Sequence, residues 1–207
     1  MSPGAMDIVG LLHRHDLRVF STTDFRTLTG LSPSAATQAL RRLAQRELVL
    51  RLKRSVWINR LADVNPHETL PFLTAPWPSY VSLYSALSQY GVVAEIPHVL
   101  YGVTSGPPAR YKTSIGDFSL HHLPSRLIWG YESRREGRAS YLIAEPEKAF
   151  LDLVYLALIP RSSLRMPHKR GRRWALDADK LKKYAVRFKF PPLLPALKRL
   201  GVLTTVR

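Results

Sequence analysis

The side chains best suited to reading another molecule are Ser34, Thr37, Gln38 and Arg41, with Arg42 beside them and Lys53, Arg54 and Ser55 shortly after. Ala36, Leu40 and Leu43 recur at i, i+4 and i+7, which predicts a helix with those three facing a core and the polar residues on the outer stripe. Those types suit base edges. Gln pairs bidentately with adenine, Arg with guanine, and Ser or Thr reach a base or a phosphate. Lys53 and Arg54 at a hairpin tip suit a phosphate or minor-groove contact. A polar stripe alone is usually a solvated helix face, so the surrounding elements must decide.

A second group is Glu145, Glu147, Lys148 and Asp152. Carboxylates with a lysine can build a metal-dependent nuclease, but such sites commonly set an acid one residue away from the lysine on a strand. Here Glu147 abuts Lys148 at a helix start, where acids complement the helix dipole. No catalytic residue and no enzymatic activity are expected. His121 and His122 on one strand point to opposite faces, and His13 and His15 diverge on a helix, so no metal site is expected. Walker, dinucleotide and nucleophile-elbow motifs are absent, and no cofactor is expected. The third group is Arg161–Arg173, six basic residues without an acid, read as a solvated loop or as accessory phosphate contacts through Lys169, Arg170, Arg172 and Arg173.

The elements that must position these residues follow from length and pattern. The 207 residues suffice for one large or two small domains. A net charge of +16 favours a polyanionic partner, and the absence of cysteine excludes disulfides, thiolate zinc sites and a cysteine nucleophile. No run is long and apolar enough for a membrane helix, and the expected location is cytoplasmic. Met1–Met6 reads as a leader. Asp7–Arg14 predicts an amphipathic helix. Ser21 to Asp24 offer caps for a second, with Phe25 and Leu28 inward, which Gly30 ends. Ser32 then caps the third helix, with Pro33 at its first position. Val49–Leu52 and Val56–Ile58 flank Lys53-Arg54-Ser55 as a basic hairpin. Helix, helix, turn, helix, hairpin is the order of a winged helix-turn-helix at 6–62.

Pro66, Pro71, Pro76 and Pro78 make 63–78 an expected extended connector. From 79 to 207 the expectation is an α+β domain: a helix over Ser79–Tyr90; a meander of strands at Val99–Val103, Arg110–Thr113, Phe118–Leu123, Leu127–Trp129 and Tyr141–Ile143; then helices Pro146–Leu158, Asp179–Phe188 and Leu193–Leu200.

Two stretches of this second part, Tyr80-Val81-Ser82-Leu83-Tyr84-Ser85-Ala86-Leu87 with Tyr90-Gly91-Val92 and Ile96-Pro97, and Tyr141 to Leu153 with its run Ala-Glu-Pro-Glu-Lys-Ala-Phe-Leu-Asp, resemble the C-terminal domain of AbiEi antitoxins. With a winged helix ahead of them, the resemblance covers nearly the whole chain from Met6. It implies a type IV antitoxin that represses its own operon at inverted repeats in double-stranded promoter DNA. It also implies an AbiEii-like nucleotidyltransferase toxin as functional partner, without a stable complex being required. On that reading Glu145, Glu147, Lys148 and Asp152 are a candidate antitoxicity surface. The alternative is an ordinary winged-helix regulator whose second domain senses a ligand or partner.

Overall fold

The computed structural model describes residues 4–94, 96–168 and 174–203. The chain divides into two compact units, Met1–Ala75 with Thr113–Ile115, and Pro76–Lys112 with Gly116–Arg207. The protein is α+β, as the patterning implies.

The first unit is a winged helix: α1 (Ala5–Arg14), β1 (Val19–Ser21), α2 (Thr22–Thr29), α3 (Pro33–Gln45), β2 (Val49–Lys53) and β3 (Val56–Asn59), with strand order β1-β3-β2. Strand β1 is an element that patterning alone missed. Its three residues lack an alternation long enough to read, and only pairing of Val19 with Ile58 and Phe20 with Trp57 makes it a strand. Ile8, Leu12, Phe20, Phe25, Leu40, Leu43 and Val49 form the core. Helix α2 starts in a capping box, Asp24 N donating to Ser21 Oγ at 3.0 Å and Ser21 N to Asp24 Oδ2 at 2.8 Å. It ends at Gly30, whose φ of +66° gives the left-handed turn into α3.

The segment expected to be an extended connector is helical over most of its middle. Residues Pro66–Thr69 form a 3-10 turn and Leu70–Thr74 form α4, with Leu70 and Leu73 buried. Pro66 and Pro71 each occupy a first-turn position, where a missing amide costs nothing, so these prolines start helices. Asn65 caps the turn by accepting from His67 N at 3.0 Å. The partly buried pair Arg18 and Glu68 joins the turn to the loop before β1.

The second unit carries a six-stranded sheet of order β6-β7-β5-β4-β9-β8, from β4 (Ser79–Val81), β5 (Val99–Thr104), β6 (Ala109–Thr113), β7 (Gly116–His122), β8 (Tyr131–Glu136) and β9 (Ala139–Ala144). It is mixed and not the expected meander: β4 pairs antiparallel with β5 but parallel with β9, and β5 runs parallel with β7. The expected helix over Ser79–Tyr90 splits into β4 and α5 (Leu83–Gln89). Leu83, at φ +56°, makes the break, a backbone conformation that costs a non-glycine residue about 1–3 kcal/mol. Leu127–Trp129 is not a strand, because Ser125–Leu127 is a 3-10 turn. The unexpected β8 is a charged edge strand, exposed at five of its six residues, a composition that opposes pairing with other chains. Helix α6 (Pro146–Leu158) is as expected, and is buried without interruption from Glu147 to Leu156. It packs against α5, α7 (Ala178–Arg187) and α8 (Leu193–Arg199). Among the described residues no helix is long and apolar enough to cross a membrane.

Candidate nucleic-acid interface

Helix α3 begins where Ser32 Oγ accepts from Ala35 N at 3.3 Å and Pro33 occupies the first turn. Ala36, Ala39, Leu40 and Leu43 are buried. Removing leucines such as Leu40 and Leu43 from water contributes about 1.5–3 kcal/mol each, which fixes the rotation of the helix about its axis. That rotation leaves Ser34, Thr37, Gln38, Arg41 and Arg42 exposed together. Gln45 and Arg46 extend the exposed surface at the C-terminal end. The helix contains no acidic residue. Thr37 Oγ1 donates to Pro33 O at 2.9 Å, which spends its proton within the helix and leaves the hydroxyl oxygen as an acceptor. Ser34 Oγ lies 3.3 Å from Ser32 Oγ. Gln38, Arg41 and Arg42 therefore supply most of the outward donors.

The hairpin β2–β3 turns at Lys53-Arg54-Ser55, with Ser55 at φ +64°. Trp57 Nε1 donates to Thr22 Oγ1 at 3.0 Å and Thr22 N to Ser55 O at 2.9 Å, tying the wing to the start of α2. Lys53 is not the outward tip contact expected of it. It is half-buried and its Nζ donates to Leu73 O at 2.7 Å, so its charge is directed at the end of α4. Burial pulls the Lys53 ammonium below its ordinary value. Arg54 and Ser55 are exposed as expected. The wing cation that sequence reasoning passed over is Arg51, exposed on β2, with its guanidinium 5.9 Å from the Trp57 ring. Strand alternation did not mark it, because Val49, on the same face two residues earlier, is buried, and the register shifts between Arg51 and Lys53.

The second group behaves differently. Of the four residues expected to form a contact surface, Lys148 and Asp152 are wholly enclosed and Glu147 nearly so, which leaves only Glu145 partly exposed. Lys148 Nζ pairs with Asp152 Oδ1 and donates to Tyr80 OH at 2.7 Å. Tyr80 OH donates to Asp152 Oδ2 at 3.0 Å and Ser82 Oγ to the same oxygen at 2.9 Å. The rings of Tyr80, Trp129 and Phe188 lie 5.3, 5.0 and 5.1 Å from the ammonium. Burial pushes the Asp152 carboxyl up and the Lys148 ammonium down, each opposed by the other's charge. The donors converging on Asp152 favour its ionised form. Gly130, at φ +70°, is the close approach that admits Lys148, since a Cβ there would come within 3.1 Å of Lys148 Cγ.

The two acids at the start of α6 do more than complement its dipole. Lys180 Nζ lies 3.2 Å from both Glu145 Oε1 and Glu147 Oε2, Tyr184 OH donates to Glu145 Oε2 at 2.6 Å, and Asp177 N donates to Glu147 Oε1 at 3.0 Å. They clamp α7 onto α6. Lys169, Arg170, Arg172 and Arg173 lie outside the described residues.

In comparison with known proteins, the chain matches no family model and no curated relative.

Proposed function

We propose that the first unit binds double-stranded DNA, with α3 reading base edges in the major groove and the wing contacting the backbone. The observation that carries this reading is the acid-free outer face of α3, with Gln38, Arg41 and Arg42 exposed together on a winged helix that also exposes Arg51 and Arg54 on its hairpin. A helix of this size enters the major groove with its N-terminal part against the bases. One winged helix reads a short site, so inverted repeats would engage two molecules. The motifs at 80–97 and 141–153 extend the proposal to an antitoxin that represses its own operon and counteracts a nucleotidyltransferase-like toxin.

Two experiments test the two levels separately. Fluorescence anisotropy with fragments of the DNA upstream of this gene should find one bound at least a thousandfold more tightly than a shuffled duplex at the same salt. Equal affinity for all fragments would remove the sequence-specific reading. Co-expression with the neighbouring gene should rescue growth that the neighbour alone arrests. A harmless neighbour, or one still toxic beside abundant folded protein, would leave a plain DNA-binding regulator.

A further inference from the structure

In the second unit, strand register brings a set of polar and aromatic side chains to one face of the sheet. Strands β5 and β7 run parallel with Val99 beside Asp117, Tyr101 beside Ser119 and Val103 beside His121. Alternation puts Tyr101, Asp117, Ser119 and His121 on the same face, and Arg110 and Lys112 share a face of the adjacent β6. These six line a cleft of about 340 Å³, bounded by Ser163 and Leu164. A wider hollow opens from Arg110 and His121 toward Arg161.

Aromatic rings line the cleft. The Tyr101 and His121 rings lie 6.0 Å apart at 21°, and Tyr84 meets Tyr101 edge-on at 5.7 Å. Ser119 Oγ lies 3.0 Å from His121 Nε2, a hydrogen bond that orients the imidazole. Burial, and then the Arg110 charge, pull the His121 imidazole below its ordinary value, so it is a neutral stacking surface at physiological pH. The positive charge comes instead from Arg110 and Lys112, both exposed and neither in a salt bridge among the described residues. Arg110 Nη2 reaches Ser163 Oγ at 3.4 Å, which aims the guanidinium across the mouth. Asp117 is the one acid of the lining and offers a carboxylate to a hydroxyl donor.

We propose that this cleft binds a small phosphorylated molecule bearing a planar ring, of nucleoside monophosphate size. The ring packs against the aromatic pair Tyr101 and His121, the phosphate meets Arg110 and Lys112, and a sugar hydroxyl donates to Asp117. Ligand sites run from about 300 to 1,000 Å³, and this cleft lies at the small end of that range, a size that suits a mononucleotide. The proposal stands on the second unit alone, whatever the fate of the DNA-binding reading.

The test is isothermal titration calorimetry of the full chain with AMP, GMP, CMP, UMP and inorganic phosphate. Saturable binding of at least one nucleotide with a Kd below about 1 mM is expected. Inorganic phosphate should bind at least about tenfold more weakly, because it cannot stack. Arg110→Ala and Lys112→Ala, both at exposed positions that leave the core untouched, should each weaken the nucleotide about tenfold, a single charge-assisted contact. No binding heat from any of the four nucleotides up to about 5 mM would overturn the site. So would nucleotide binding that both variants leave unchanged. Phosphate binding as tightly as the nucleotides would overturn the ring-binding part of the site.

Discussion

Helices α3 and α6 look alike on paper. Each has thirteen residues, each begins with proline, and each mixes apolar positions with polar ones that invite a functional reading. Their polar residues have opposite fates. Those of α3 face water, because this helix buries one stripe against a small core. Helix α6 is packed by α5, α7 and α8, so Lys148 and Asp152 are enclosed and satisfy each other. A polar side chain can bind a partner where packing leaves it outside, and becomes part of the core where packing closes over it.

The largest expected effect tests the enclosed side. Lys148→Ala leaves Asp152 buried without its cation, and should destabilise the second unit by about 3–5 kcal/mol in urea unfolding followed by near-ultraviolet circular dichroism. The paired replacement Lys148→Met with Asp152→Leu should recover most of that loss, since a well-packed apolar pair is often no worse than a buried ion pair. A single variant as stable as the parent would mean that α6 is less enclosed than its burial implies.

On the exposed side the expected effect is on binding and not on folding. Gln38→Ala and Arg41→Ala should each relax base discrimination by about 1–3 kcal/mol in anisotropy measurements against mutated sites, with an unchanged thermal midpoint. A fall in midpoint without a change in specificity would place these residues with those of α6.

The smallest effects separate two neighbours on the wing. Lys53→Ala should lower the stability of the first unit by about 1 kcal/mol, because its Nζ holds the Leu73 carbonyl, and should leave the salt dependence of DNA binding unchanged. Arg54→Ala should leave stability unchanged and reduce the log–log salt slope by about 0.9, the share of one phosphate. The reverse pattern would restore Lys53 as the wing contact.

Much of the first unit was legible in the residues. Ser32-Pro33 starts α3, Gly30 supplies the left-handed turn before it, and the spacing of Ala36, Leu40 and Leu43 sets which stripe is exposed. These are local rules, in which capping, φ freedom and period are satisfied within a few residues of the position concerned. Lys53 escaped them because its partner lies twenty residues on, in a helix within the proline-rich stretch.

In the second unit local rules failed where pairing and enclosure are long-range. Tyr80 has the spacing of a helical residue with Leu83, Tyr84 and Leu87, yet becomes a strand residue because β5 and β9 flank it. Lys148 and Asp152, four apart, are a pair any sequence suggests, but Tyr80 and Ser82, about seventy residues away, complete their network. The cleft of Tyr101, Arg110, Ser119 and His121 exists only because β5 lies parallel to β7. What the sequence by itself determined is the winged helix and the outward stripe of α3, because helix period and capping act over single turns. Which polar residues are core and which face a cleft was decided only by the tertiary structure, because burial depends on neighbours that strand order and helix packing bring from far along the chain.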